Sequence, residues 1–334
     1  MDLETNEQTI SSTRKLRRIY TFIGLGIFTF NLILIIIYMC NNDEESLAFE
    51  NYLKSKKSLY VWGYIKADNF IKFLIDHNFS KIYLYVGCIQ WDLDKLKSGN
   101  FYNTGDIEPK ELLKTLNENN IEVYLSICLN DEVDNFTNVE KILEVCQTLG
   151  DLQETLNFTA LHLELIPNNA SNFEQILQIY ESCTQFISVS ASLKESWLNV
   201  KMPELKNAFT SEDFYEKFKD CETFIDAIMT VTNYTAIMAY SNTYEGVDNI
   251  LEQFDIIRKR HHSNIATPIL EINDKISDGL FLKYIENKAH FFHYFTNMTK
   301  KFNEVTIHCY EPWYRDLYCK NPNEKYISGR PKNC

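Results

Sequence analysis

The sequence predicts a (β/α)8 barrel, and three observations carry that expectation. Eight short segments set apolar residues at one parity and polar or aromatic residues at the other: Leu59–Tyr64, Ile82–Gly87, Ile121–Cys128, Leu161–Glu164, Ile187–Ser192, Ala236–Tyr240, Thr267–Glu271 and Val305–Tyr310. Helical-period stretches lie between most of them. The region from Leu59 to Arg315 also supplies the roughly 250 residues that such a barrel needs.

Taken in order, residues 1–19 are a polar cytoplasmic tail with a basic end, and 20–40 read YTFIGLGIFTFNLILIIIYMC without a charge. At about 1.5 Å per residue that run crosses roughly 30 Å of hydrocarbon. A cleaved signal peptide would need a shorter apolar run and a small-residue cleavage site, whereas this one ends Tyr38-Met39-Cys40. Arg14, Lys15, Arg17 and Arg18 precede the span and Asp43, Glu44 and Glu45 follow it. The expectation is therefore a type II signal anchor, with the larger part extracellular or in the secretory lumen.

Residues 41–57 read as a charged stalk, 58–316 as the barrel and 317–334 as a polar tail. Helices are expected where Ala67, Phe70, Ile71 and Leu74 share a face, and again at Val139, Ile142, Leu143 and Cys146. Phe173, Ile176, Leu177 and Tyr180 repeat the device, as do Val247, Ile250, Leu251 and Phe254, and finally Phe292, Phe295, Met298 and Phe302. The stretch Lys194–Asn233 is too long for a simple crossover and should hold extra helices, such as Glu212–Lys219.

Six glycosylation sequons begin at Asn78, Asn135, Asn157, Asn169, Asn233 and Asn297. Eight of the nine cysteines follow the apolar run, an even number suited to disulfides outside the cytosol. Cys88 with Cys128 and Cys319 with Cys334 are the expected pairs. A net charge of −13 argues against nucleic acid, which requires a basic face.

If the apolar parity faces the helices, the barrel interior holds Tyr60, Trp62, Tyr64, Tyr83, Tyr85, Tyr124, Ser126, Cys128, His162 and Glu164. From the later strands come Ser188, Ser190, Ser192, Met238, Tyr240, Thr267, Ile269, Glu271, Thr306, His308 and Tyr310. Most barrels fill this space with Val, Ile and Leu. Two carboxylates ending strands four and seven, Glu164 and Glu271, must be paired, hydrogen-bonded or used in chemistry. Across a cleft they suit glycoside hydrolysis, with one acid and one nucleophile or base. Trp62, Tyr64, Tyr85, His162, His308, Tyr310 and Trp313 would line the sugar site, and Tyr240 would assist.

The segment Leu161-His162-Leu163-Glu164-Leu165-Ile166-Pro167 resembles the Ile-His-Leu-Asp-Val-Glu-Pro type of segment in glycosidase-superfamily barrels related to the chitinase-like family 18 hydrolases. Met238-Ala239-Tyr240-Ser241 is similar to their strand-six Met-x-Tyr-Asp, and Trp313 falls where that group keeps a Trp under the sugar. The resemblance implies a (β/α)8 fold, a glycan or small glycoside as ligand, and no cofactor. It also shows departures: the second acidic position of strand four holds Ile166, and Ser241 stands for the strand-six Asp. Three readings follow. One is an anchored glycosidase using Glu164, Glu271 and Tyr240. Another is an inactive barrel that binds carbohydrate or a protein. The third is a type II glycosyltransferase, suggested by Asp92-Leu93-Asp94. No spaced His or carboxylate set points to zinc.

Overall fold

The structure is a computed structural model. It describes residues 44–61, 67–99, 101, 108–129, 139–165, 172–272 and 279–308, with backbone alone for 67–69, 88–93, 129 and 281. The expected anchor at 20–40 and the expected tail at 317–334 lie outside these residues, and no described helix is long and apolar enough to cross a membrane. The chain forms two compact units, 1–51 and 52–334. The described part of the first is helical, belonging to a helix over 44–54 (α1).

In the second unit, eight parallel strands pair in sequence order and close: β1 (Lys57–Val61), β2 (Phe79–Cys88), β3 (Glu122–Leu129), β4 (Ala160–Leu165), β5 (Val189–Lys194), β6 (Tyr234–Met238), β7 (Ile265–Glu271) and β8 (Val305–His308). β8 returns to pair with β1. All eight expected strands exist. β5 and β6 are displaced by two residues from their expected bounds, because two-residue periodicity defines a face but not the ends of a strand.

The helices are α2 (Ala67–Asp76), α3 (Ile89–Ser98), α4 (Pro109–Glu118), α5 (Val139–Leu156), α6 (Phe173–Cys183), α7 (Glu212–Glu216), α8 (Phe224–Val231), α9 (Tyr244–Arg258), α10 (Phe281–Glu286) and α11 (Lys288–Phe302). Their apolar stripes face the core: Phe173, Ile176, Leu177 and Tyr180 are all buried on α6, and Phe292, Phe295, Met298 and Phe302 on α11. On α2 the buried set is Phe70, Phe73 and Leu74, with Ile71 only half-buried. The long β5–β6 connection holds two 3-10 turns and α7, followed by α8, whose start is a capping box between Thr223 and Asp226.

Four helices hand over to the next strand through an asparagine in the left-handed region: Asn78 (φ 55°), Asn120 (φ 58°), Asn157 (φ 54°) and Asn303 (φ 65°). Apart from glycine, asparagine tolerates that conformation best, so these residues terminate the helices and turn the chain toward the barrel.

The segment expected as a stalk is helical over most of its length, and its last residue already belongs to the barrel. Lys57 is fully buried, and its ammonium donates to the Tyr52, Ser55 and Leu53 carbonyls at 2.8, 2.9 and 3.3 Å. That caps the end of α1. Burial lowers the Lys57 pKa to about 7. Tyr52 packs on the rings of Phe292 and Phe295, at 5.0 and 5.3 Å between centroids.

A disulfide joins Cys146 on α5 to Cys183 on α6, with Cα atoms 5.5 Å apart. It replaces nothing in the expected pairs but was not among them. Cys128 is also disulfide-bonded. Its register partner on β2 is Cys88, the expected mate, whose side chain lies outside the description. Cys319 and Cys334 lie outside it as well. Cys221 is a free thiol.

Candidate functional site

Strand parity decides what enters the barrel, and the inward list holds where its residues are described; Trp62, Tyr64 and Tyr310 lie outside them. Tyr60, Tyr83, Tyr85, Tyr124, Cys128 and Ala160 form one buried cluster, while Ala236, Met238 and Ile269 form another, with Tyr240 against it. The Tyr60 and Tyr83 rings stack at 5.4 Å, and Tyr83 meets His162 edge-on at 4.7 Å.

His162 occupies the centre and is fully buried. Its Nδ1 and Nε2 are each 2.8 Å from a hydroxyl, Ser190 and Ser192 respectively. Burial, with a contribution from the Lys81 charge, lowers its pKa to about 3. The ring is therefore neutral, so one serine donates to it and the other accepts. No face of His162 is open to a ligand. The sequence placed it among the sugar-binding residues, but its two serine bonds make it a strut of the interior. Tyr85 is also buried, with its hydroxyl 3.8 Å from the Cys128 sulfur, and serves the same core.

Nearer the C-terminal ends of the strands the carboxylates appear. Glu164, next to last on β4, is half-buried. The Tyr60 phenol donates to its Oε2 at 3.4 Å and also bonds the Ser126 hydroxyl. Burial and the Glu164 charge both raise the Tyr60 pKa, so the phenol keeps its proton. Behind the strand, the Tyr180 hydroxyl donates to the Leu163 carbonyl at 3.2 Å, and this bond buttresses the backbone beside Glu164.

Glu271, the last residue of β7, is 1% exposed, and its Oε2 lies 2.6 Å from Nδ1 of His308. The two are register partners on β7 and β8. Its other oxygen, Oε1, has no hydrogen-bond partner among the described residues. A carboxylate on an imidazole nitrogen fixes the orientation of the ring. The chain returns tightly over this residue: the Leu280 N–H donates to the Glu271 carbonyl at 2.8 Å. A Cβ at Gly279 would come within 3.0 Å of that oxygen and 3.1 Å of the Glu271 Cγ, closer than most side-chain contacts, so the approach favours glycine.

Tyr240 lies just past the end of β6, half-buried, with its ring 5.6 Å from His308. Tyr60 packs edge-on to the other side of this group, 5.2 Å from His308. Glu164, Tyr60, His308, Glu271 and Tyr240 thus form one continuous polar and aromatic cluster. Of the expected site residues, Trp62, Tyr64, Tyr310 and Trp313 lie outside the described residues. The structure adds Tyr60, which the sequence argument had left as interior, and Gly279, on which it had made no reading. The inward parity of Tyr60 was legible; its pairing with Glu164 depends on the stagger between strands.

Among the described residues no group of His, Cys, Asp or Glu is arranged to hold a metal ion. His261 instead bonds Asp226 at 3.0 Å, beyond the end of α9.

No protein-family model matches the chain, and no curated protein does. Solved structures match in fold. A chitinase from Bacteroides thetaiotaomicron has 12% identity and a TM-score of 0.47, over 76% of this chain and 89% of that one. A GH18 chitinase from Flavobacterium johnsoniae has 13% identity and a TM-score of 0.41, over 76% and 87%. A sugar phosphate isomerase/epimerase from Parabacteroides distasonis is as similar, with 10% identity and a TM-score of 0.43, over 76% and 88%. The expected resemblance to chitinase-like barrels is thus met at the level of fold, and the likeness carries no argument about chemistry. What the strand pairing itself establishes is a closed (β/α)8 barrel.

Proposed function

We propose that the chain is a membrane-anchored, glycoside-hydrolase-like barrel that acts on a glycan or small glycoside at the C-terminal mouth of the barrel. One observation carries the reading: Glu164 and Glu271 end two non-adjacent strands and meet in a single cluster through Tyr60 and His308. Glu164, half-buried and reachable, is the general acid. It passes a proton to the glycosidic oxygen as the bond to the anomeric carbon breaks, and recovers a proton from the water that adds to that carbon. Glu271, buried and tied to His308, supplies a fixed negative charge toward the cation that develops in the sugar. Tyr240 orients the ring or its substituent.

A second reading is a barrel that binds a glycan or protein without turnover. The 2.6 Å bond between His308 and Glu271 favours it, because a buried carboxylate satisfied by a neighbour needs no reaction to explain it. Residues 20–40 would anchor either form. Asn78, Asn157, Asn233 and Asn297 are exposed and available to N-linked glycans on the lumenal side, whereas Asn135 and Asn169 lie outside the described residues.

The deciding experiment is glycoside hydrolysis by the purified chain over a mixed panel, beside Glu164→Gln. Loss of a general acid should cost on the order of 100-fold or more in kcat. Turnover that survives the substitution would remove Glu164 from the chemistry. Absence of turnover by the folded wild-type protein on every substrate would leave the binding reading.

A further inference from the structure

The opposite end of the barrel carries a cavity of about 440 Å3. That volume lies within the range of small-molecule sites. Its lining comes from the N-terminal ends of the strands and from the turns after α9 and α11: Lys81, Tyr124, Tyr234, Thr267 and Glu304, with Lys56, Arg258, Lys259, His261 and His262 around them. None of these residues belongs to the carboxylate cluster described above.

Charge is distributed here in an unusual way for a chain of net −13. Lys56 and Lys81 share one carboxylate, Glu304, at 3.3 and 2.9 Å. Arg258 and Lys259 likewise share Asp255, at 2.7 and 2.6 Å. Each group thus has two cations for one anion. Among the described residues Glu122 is the only other carboxylate lining the cavity, and its charge also acts on Lys81. Cations after α9 also answer the negative end of that helix, but this does not account for Lys81 on a strand or Lys56 ahead of one. Lys81 is itself 4% exposed, with its ammonium 4.7 Å from the centre of the Tyr124 ring. The Arg258 guanidinium is braced over the Phe302 ring at 4.6 Å. Thr267, 2% exposed, lies beside the Tyr83 phenol, and its hydroxyl makes no hydrogen bond of normal geometry.

From this geometry we infer that the N-terminal mouth of the barrel binds a phosphate group, with the half-neutralised lysines and Arg258 meeting its charge and the tyrosine and phenylalanine rings walling the attached moiety. Phosphate suits these cations as acceptor for several charge-assisted bonds at once. The inference stands apart from the proposed glycan chemistry. Two sources share the group: a soluble phosphomonoester, or a phospholipid headgroup, since Lys56 lies close in sequence to the apolar run at 20–40.

The test is calorimetric titration of the full chain in detergent with inorganic phosphate, glucose 6-phosphate, glucose and short-chain phosphatidic acid. Each is repeated on the exposed variants Lys56→Gln and Lys259→Gln/His262→Gln, with thermal melts to verify folding. Binding of a phosphate-bearing probe, none by glucose, and a Kd at least about tenfold weaker in a variant is the expected result. Preference for phosphatidic acid over glucose 6-phosphate assigns the lipid source, and the reverse assigns the soluble one. No binding by any phosphate-bearing probe up to about 10 mM, or binding equal in wild type and both variants, overturns the inference.

Discussion

His162 shows how a single side chain ties the barrel interior to pH. Its folded pKa of about 3 is far below that of a free imidazole, because burial and the Lys81 charge oppose the imidazolium. The unfolded chain takes up a proton at this position as pH falls through about 6.5, while the folded chain refuses it until about 3. Stability should therefore fall with decreasing pH across that window. His77, brought to about 4 by burial and the Lys57 charge, acts in the same direction. Urea unfolding between pH 4 and 7 should show a shallower acid decline for His162→Asn, even though the smaller residue lowers the plateau. An unchanged slope would mean that His162 already carries its proton when folded. This role was only half legible. Alternation along one strand announces that a residue points inward, and so brought out Glu164, Glu271 and His308. Whether an inward group meets substrate or two serines depends on the pairing with its neighbours. His162 meets Ser190 and Ser192 from β5, and no spacing within β4 contains that fact.

At the scale of elements, the strands and the apolar stripes of the helices were readable because each is a local repeat of one physical preference. The helix ends were not read from these asparagines: Asn78 and Asn157 occupy left-handed positions and also open sequons, which is how the sequence argument took them. Their presence has a conformational reason independent of glycosylation, which weakens the sequon count as an argument for compartment. The disulfide between α5 and α6 was not readable. Cys146 sat within an apolar stripe and looked like packing, and connectivity is a property of three-dimensional approach. The bridge closes a loop of 37 residues that contains all of β4, hence both His162 and Glu164. A loop of that length stabilises by about 4 kcal/mol through the unfolded state. The double variant Cys146→Ala/Cys183→Ala should lower the urea midpoint accordingly. A midpoint equal to wild type would mean that native strain cancels the gain.

At the scale of the whole molecule, the proposed anchor at 20–40 is the part of the reading that membrane fractionation tests. Full-length protein should stay with membranes through an alkaline carbonate wash, and a chain beginning at residue 41 should be released. Release of both would refute the anchor. Which ligand the barrel meets was never legible, because specificity depends on loops at its mouth and not on the repeat that builds it. The closure of the barrel has one more consequence. β1 and β8 are hydrogen-bonded neighbours, yet β8 is the last of the described strands to leave the ribosome. Until it does, β1 keeps an open edge and the Glu271 carboxylate lacks His308, its one hydrogen-bond partner among the described residues. Synthesis therefore completes the sheet and the buried Glu271–His308 pair in the same final step, so a nascent chain stalled before Val305 would expose both defects together to the cell's quality control.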